Sequence, residues 1–197
     1  MKKKYFFIGI LIISLILSWC YRYSTLNSFY QTLSDRTRVV FLAEEYVDFG
    51  TDWLTKDVTA EGYSIRVDNF DIVDYEEYIM SLQSDYQEPY VKPDKLALVY
   101  ITLRNENSSE DGVMLTDLKL HGIDNYVGID WDVLIMANSV LAGHYGINIA
   151  PGKEYQLILP YDLEEKYFGK DTWERIDSYT FYLHITSYPV EKDIKVN

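Results

Sequence analysis

Between Lys4 and Arg22 the chain carries no charge, and "YFFIGILIISLILSWCY" (5–21) is apolar almost throughout. Residues 24–38, "STLNSFYQTLSDRTR", are polar, with Leu26, Phe29, Tyr30 and Leu33 at helical spacing, which predicts a short helix or stalk. From Val39 onward the pattern is mostly that of strands separated by turn signals. "GYSIRVDNFDI" (62–72) alternates through Tyr63, Ile65 and Val67, then changes phase to Phe70 and Ile72. One extra residue in a strand flips every later side chain to the other face, so a bulge or bend is predicted at Asp68-Asn69. "KLALVYITLRN" (95–105) places Val99, Ile101 and Leu103 on one face and Tyr100, Thr102 and Arg104 on the other. The turn "NSSEDG" (107–112) then predicts "VMLTDLKLHG" (113–122) as its hairpin partner. "YTFYLHIT" (179–186) points Tyr179, Phe181, Leu183 and Ile185 inward, with Thr180, Tyr182 and His184 opposite.

In "APGKEYQLILPYDL" (150–163), Pro151 and Gly152 suit the two central positions of a type II turn. Proline presets the first φ, and glycine tolerates the positive φ of the second. Tyr155, Leu157 and Leu159 follow as a half-buried strand that Pro160 is expected to end. Two stretches read as helices. "DYEEYIMSLQ" (74–83) has Asp74 as N-cap with Glu76 and Glu77 in the first turn, where the helix end is positive. "DLEEKYFGK" (162–170) has Asp162 as cap and Gly169 at the stop. Several short strands with two brief helices predict a mainly β, antiparallel sandwich over residues 39–197.

The start of the chain changes this picture by adding a location. Lys2, Lys3 and Lys4 before an apolar run read as an export signal, lysines on the cytoplasmic side. As a helix, the 17 residues of the run reach about 25 Å, slightly less than the roughly 30 Å hydrocarbon core. Trp19, Tyr21 and Tyr23 cluster where the far interface falls. Three fates stay open. Leu17-Ser18-Trp19-Cys20 resembles a lipidation site, except that bulky Trp19 stands where a small residue belongs. Cleavage after Cys20 has only Ser18 and Cys20 as its small pair. An uncleaved single-pass anchor is the favoured reading. It divides the chain into a cytoplasmic basic end (1–4), a transmembrane signal anchor (5–21), a juxtamembrane stalk (22–38) and an extracellular β domain (39–197).

Charge follows the same division. Beyond Arg22 there are fourteen basic residues against 31 acidic ones, a net −17. Such a surface repels nucleic acid and attracts cations or cationic peptides; it is also simply soluble. Cys20 is the single cysteine, so no intrachain disulfide forms, which fits a bacterial surface protein better than a small secreted eukaryotic domain.

A resemblance joins these observations. The strand ending in "LRNENSSEDG", the stretch "IAPGKEYQLILPYDL" and the closing "YLHITSYPVEKDIKV" resemble the immunoglobulin-like β-sandwich domains of anchored or lipidated Gram-positive surface proteins of unknown function. "EGYSIRVDNFDIVDYEEYI" resembles the first core strand of such proteins. The likeness covers about residues 45–197 and implies a fold and a location, with no site residues.

Candidate chemistry is sparse. His121, His144 and His184 are far apart and form no metal-ligand spacing, so they read as surface or turn residues. No serine stands in G-x-S-x-G and no glycine-rich phosphate loop occurs. Carboxylates are the dense polar groups. Residues 61–90 set Glu61, Asp68, Asp71, Asp74, Glu76, Glu77, Asp85 and Glu88 against the single base Arg66, and Asp68, Asp71, Asp74, Glu76 and Glu77 form a candidate acidic binding face. Asp68, Asn69 and Asp71 present oxygens of the kind calcium takes, without an EF-hand spacing. Asp124, Asp130 and Asp132 form a thinner second set. Tyr86, Tyr90, Tyr126 and Trp131, in predicted loops with Tyr145, are candidate aromatic contacts to a sugar or peptide.

These readings converge on a membrane-anchored extracellular binding or interaction module. It is not an enzyme, it holds no cofactor or metal, and it takes a protein, cationic peptide or glycan but no nucleic acid. The alternatives are a cell-wall-directed hydrolase using clustered carboxylates, or a structural subunit of an envelope complex.

Overall fold

The computed structural model describes residues 5, 9, 12–25, 37–82, 92–107, 112–122 and 125–197. The chain divides into two units, Met1–Thr37 and Arg38–Asn197. In the first, residues 12–25 form helix α1, with Ile12, Ile13, Leu15, Ile16, Leu17 and Trp19 exposed. Among the described residues no helix is long and apolar enough to cross a membrane. The fourteen residues of α1 rise about 21 Å, and most of 5–11 lies outside the described residues. Cys20 is a free, exposed thiol. The predicted helix over 24–38 falls mostly outside the described residues.

The second unit is mainly β. Its larger sheets have four strands, in the order β11-β6-β5-β2, and five strands, in the order β1-β13-β12-β8-β9. The four-stranded sheet comprises β2 (Val47–Asp48), β5 (Tyr63–Asp74), β6 (Lys95–Asn105) and β11 (Glu154–Leu163), all antiparallel. The other comprises β1 (Thr37–Leu42), β8 (Lys119–His121), β9 (Tyr126–Val127), β12 (Tyr182–Thr186) and β13 (Val190–Lys195). Two small ribbons pair β3 (Trp53–Thr55) with β4 (Val58–Thr59), and β7 (Val113–Met114) with β10 (Gly146–Ile147).

Both large sheets feed one core. Ile65, Val67, Val99, Ile101, Leu103, Leu157 and Leu159 meet Leu120, Phe181, Leu183, Ile185 and Ile194. The alternation read from the sequence is therefore the alternation that packs. The bulge also falls where the phase changes: Val67 pairs with Ile101 but Asn69 pairs with Tyr100, so Asp68 is the extra residue. Helix α2 (Tyr75–Ser81) begins at Asp74, whose carboxylate accepts the Glu77 amide. In the predicted turn, the Lys153 amide donates to Ala150 O at 3.0 Å and Gly152 has a φ of 73°.

Four expectations fail for stated reasons. Residues 113–122 do not form the hairpin partner of β6, whose neighbours are β5 and β11; they split between β7 and β8 in other sheets. Strand β11 continues through Pro160, because it is an edge strand and proline needs no amide on the open side. Asp162 is still in β11 and caps nothing. Helix α4 (Glu165–Phe168) starts after it, with Asp94 accepting the Glu165 amide, and is followed by α5 (Lys170–Trp173). Helix α3 (Trp131–Ala137) was not foreseen, although Asp130 caps it through the Val133 amide.

Helices α2 and α3 explain why β6 is apolar on both faces. Tyr75 and Val133 bury Leu96 and Leu98 in a second cluster on the side away from the main core. Asn138, just past α3, pins this layer to β11. Its amide nitrogen donates to Leu134 O and Ile158 O, and its amide oxygen accepts the Ile158 amide at 2.8 Å.

Candidate functional site

The predicted acidic face is dispersed along β5 and the first turn of α2, and much of its charge is engaged. Asp68 takes Arg66 Nε at 2.6 Å on one oxygen and the Thr102 hydroxyl at 2.6 Å on the other. Asn69 donates to Asp71, Asp74 caps α2, and Glu76 pairs with Lys92. Glu77 is exposed. Arg66 and Arg104 both lie over the Tyr46 ring, at 4.7 and 3.8 Å from its centroid, which brings cations into the same surface. Both oxygens of Asp68 and one of Asp71 are thus engaged by neighbouring side chains. Asp85, Glu88 and Asp124 lie outside the described residues.

Of the four aromatic candidates, Tyr86 and Tyr90 lie outside the described residues. Tyr126 and Trp131 do not sit in loops: Tyr126 is on β9 and Trp131 opens α3. They are 62% and 53% exposed, and both line one groove of about 450 Å³ with Thr116, Leu118, Lys119 and Gly128. Trp131 is braced by Tyr145, with ring centroids 5.0 Å apart.

Two carboxylates meet at the end of this region. The segment before α3 bridges the open edge of β11: Ile129 pairs with Tyr161, Asp130 N donates to Pro160 O, and Asp162 N donates to Gly128 O. That places the Asp130 and Asp162 carboxyls close enough to influence each other's ionisation. Burial first, and then the Asp130 charge, push the Asp162 carboxyl up to about 7. Burial also raises Asp130, against the stabilising Val133 amide. Each charge opposes the other's ionisation, so the pair favours keeping one proton.

The polar cluster that sequence reasoning missed lies across the five-stranded sheet. His121 on β8, His184 on β12 and Asp193 on β13 are 7%, 5% and 0% exposed. They stand on the face opposite Leu120, Leu183 and Ile194, and the converging group of metal-ligand side chains among the described residues is this one. His184 sits directly across from Asp193 in the register, with Nδ1 2.9 Å from Oδ1. His121 Nε2 lies 3.3 Å from the same oxygen without an aligned hydrogen bond. Arg38 on β1 donates Nε to Asp193 Oδ2 at 2.7 Å, and buried Glu191 is 3.8 Å from that nitrogen. The outer imidazole nitrogens are held as well. His121 Nδ1 bonds Gly122 O at 2.8 Å, and His184 Nε2 bonds Ser187 Oγ at 2.9 Å. Tyr126 and Tyr182 pack on His121 with ring centroids 5.2 and 5.5 Å away.

The electrostatics are those of a buried charge network. Burial alone would raise Asp193, but its neighbours His121, His184 and Arg38, the last two hydrogen-bonded to it, hold it far below the usual carboxylate range. Burial alone would depress His121, but Asp193 and the Gly122 carbonyl outweigh it and the net shift is upward. The surface-histidine expectation fails for His121 and His184, which are 63 residues apart in sequence and joined only by the β8–β12 pairing; His144 is exposed as expected. The one available signal was alternation: His184 shares its strand face with Tyr182, and a half-polar strand conceals which outer residues become covered.

Fold and site together define an antiparallel β domain with a buried histidine–aspartate network on one sheet and an aromatic groove beside it. The chain belongs to the DUF5028 family, a domain of unknown function, whose match spans residues 38–192. No curated protein and no solved structure matches it.

Proposed function

We propose that this chain is a cell-surface binding module: an N-terminal anchor holds an extracellular, immunoglobulin-like β-sandwich whose Tyr126–Trp131 groove takes a glycan. The observation that carries the reading is the pair of aromatic side chains, each more than half exposed, flanking one groove. Sugar rings offer an apolar face to such rings and hydroxyls to the polar groups between them. Among the described residues the groove lining contains Lys119 and no carboxylate, which favours a neutral glycan over a cationic peptide. The exposed apolar side chains of α1, with the three lysines before it, support the anchor.

The test uses the full chain in detergent micelles, titrated with an N-acetylglucosamine tetramer and followed by tryptophan fluorescence. Saturable binding is expected, with Trp131→Ala and Tyr126→Ala each weakening it about tenfold. Absence of tetramer binding, with a cationic peptide bound instead and released by neutralising Asp71, Asp74, Glu76 and Glu77, transfers the function to the acidic face. Protease treatment of intact cells tests location: digestion of the domain from outside is expected, and full protection refutes the anchor reading.

A further inference from the structure

We propose that His121 Nε2, His184 Nδ1 and Asp193 Oδ1 form a binding site for a divalent transition metal of the zinc class. The argument starts from the outer nitrogens. Gly122 O only accepts, so His121 Nδ1 carries a hydrogen and Nε2 turns a lone pair inward. Ser187 Oγ donates its single proton to Leu54 O at 2.8 Å, so it accepts from His184 Nε2–H, and Nδ1 also turns a lone pair inward. Both lone pairs then face the same carboxylate oxygen, at 3.3 and 2.9 Å. Three electron-rich atoms converging in a buried space repel unless something positive lies among them.

Two occupants meet that need: an extra proton on each imidazole, or one shared cation. With Arg38, Asp193 and Glu191 present, both bring the same charge, so geometry decides between them. A proton on His121 Nε2 finds no aligned acceptor, because that nitrogen, in a side chain 7% exposed, has no hydrogen-bond partner. A metal ion needs no such alignment with one acceptor. It sits about 2.0–2.2 Å from each donor, and the three donor atoms already lie within 4.8 Å of one another. Histidine ligands that donate their far N–H to a carbonyl or hydroxyl are the usual outer arrangement of such sites, and Gly122 O and Ser187 Oγ supply both. Arg38 fixes the carboxylate through Oδ2 and leaves Oδ1 for the ion. An N₂O donor set suits zinc, cobalt(II) or nickel(II) rather than calcium or magnesium. The ligands come from three paired strands, β8, β12 and β13, so the ion would staple a sheet that no disulfide supports.

The test is titration of the chelator-stripped full chain, in detergent micelles near neutral pH, with Co²⁺ and then Zn²⁺. One Co²⁺ per chain with visible bands of low-coordinate cobalt, displaced by Zn²⁺, is expected. His121→Gln and Ser187→Ala are each expected to weaken binding at least about tenfold, while His144→Gln leaves it unchanged. Zn²⁺ should raise the denaturation midpoint of the unaltered chain and not that of His121→Gln. A folded chain that takes up neither metal overturns the proposal, and so does binding that His121→Gln and Ser187→Ala leave intact. Imidazole nitrogen shifts that show both rings doubly protonated and unmoved by Zn²⁺ overturn it in favour of the two protons.

Discussion

Asp162 makes the stability of this domain depend on pH in a direction opposite to most carboxylates. It is partly buried, one oxygen has no hydrogen-bond partner, and the Asp130 charge opposes its ionisation. Its folded pKa is pushed from 3.8 up to about 7. In that window the folded state holds a proton that the unfolded chain has released. Stability therefore falls as pH rises between the two values, and the full penalty persists above them. A shift of about three units at roughly 1.4 kcal/mol each sets a ceiling near 4 kcal/mol. Partial exposure and the coupling to Asp130 reduce this to about 1–2 kcal/mol. Asp162→Asn keeps the shape and cannot ionise. The variant should gain about 1–2 kcal/mol on the unaltered chain between about pH 3 and about pH 8. His121, raised in the folded state, contributes stability at low pH that is lost as pH rises through its folded value, but it is present in both proteins and cancels in the difference. Urea denaturation of both proteins across this range is the assay. A stability difference that does not change with pH refutes the reasoning.

Three further substitutions test the packing. Asn138→Ala removes three hydrogen bonds at the α3–β11 junction and should cost about 2–3 kcal/mol, with faster amide exchange at Ile158. Tyr161→Phe deletes the buried hydroxyl that donates to Leu118 O at 2.9 Å; a loss of about 1–2 kcal/mol in urea denaturation is expected. Gly152→Ala forces a Cβ onto a φ of 73° and should lower stability by about 1–2 kcal/mol, whereas Lys153→Ala at the next position should be neutral in the same thermal melt.

Much of the fold was legible because its signals are local. The phase change in "YSIRVDNFDI" marked the bulge at Asp68, and Asp74 with two following glutamates marked the start of α2. Pro151-Gly152 marked the turn into β11. Strand pairing was less legible. A turn after β6 suggested a hairpin, but the apolar residues of 113–122 are better buried in other sheets, and nothing local announces that. Trp131 looked like a loop residue because the α3 pattern is only two turns long, and what holds it is the packing of Val133 on Leu96 and Leu98. The acidic residues were visible as a group, but the Thr102 hydroxyl that bonds Asp68 lies 34 positions away.

Alternation, caps and turn chemistry act over a few residues, so the chain's β character, its bulge and its first helix follow from residue order alone. The histidine–aspartate cluster and the aromatic groove do not. Each needs residues from strands that meet only when the sheet closes: β1, β8, β12 and β13 for Arg38, His121, His184 and Asp193, and β9 with α3 for Tyr126 and Trp131. Long-range pairing is selected by the burial of whole faces rather than by any one residue's neighbours, so these contacts belong to the tertiary structure.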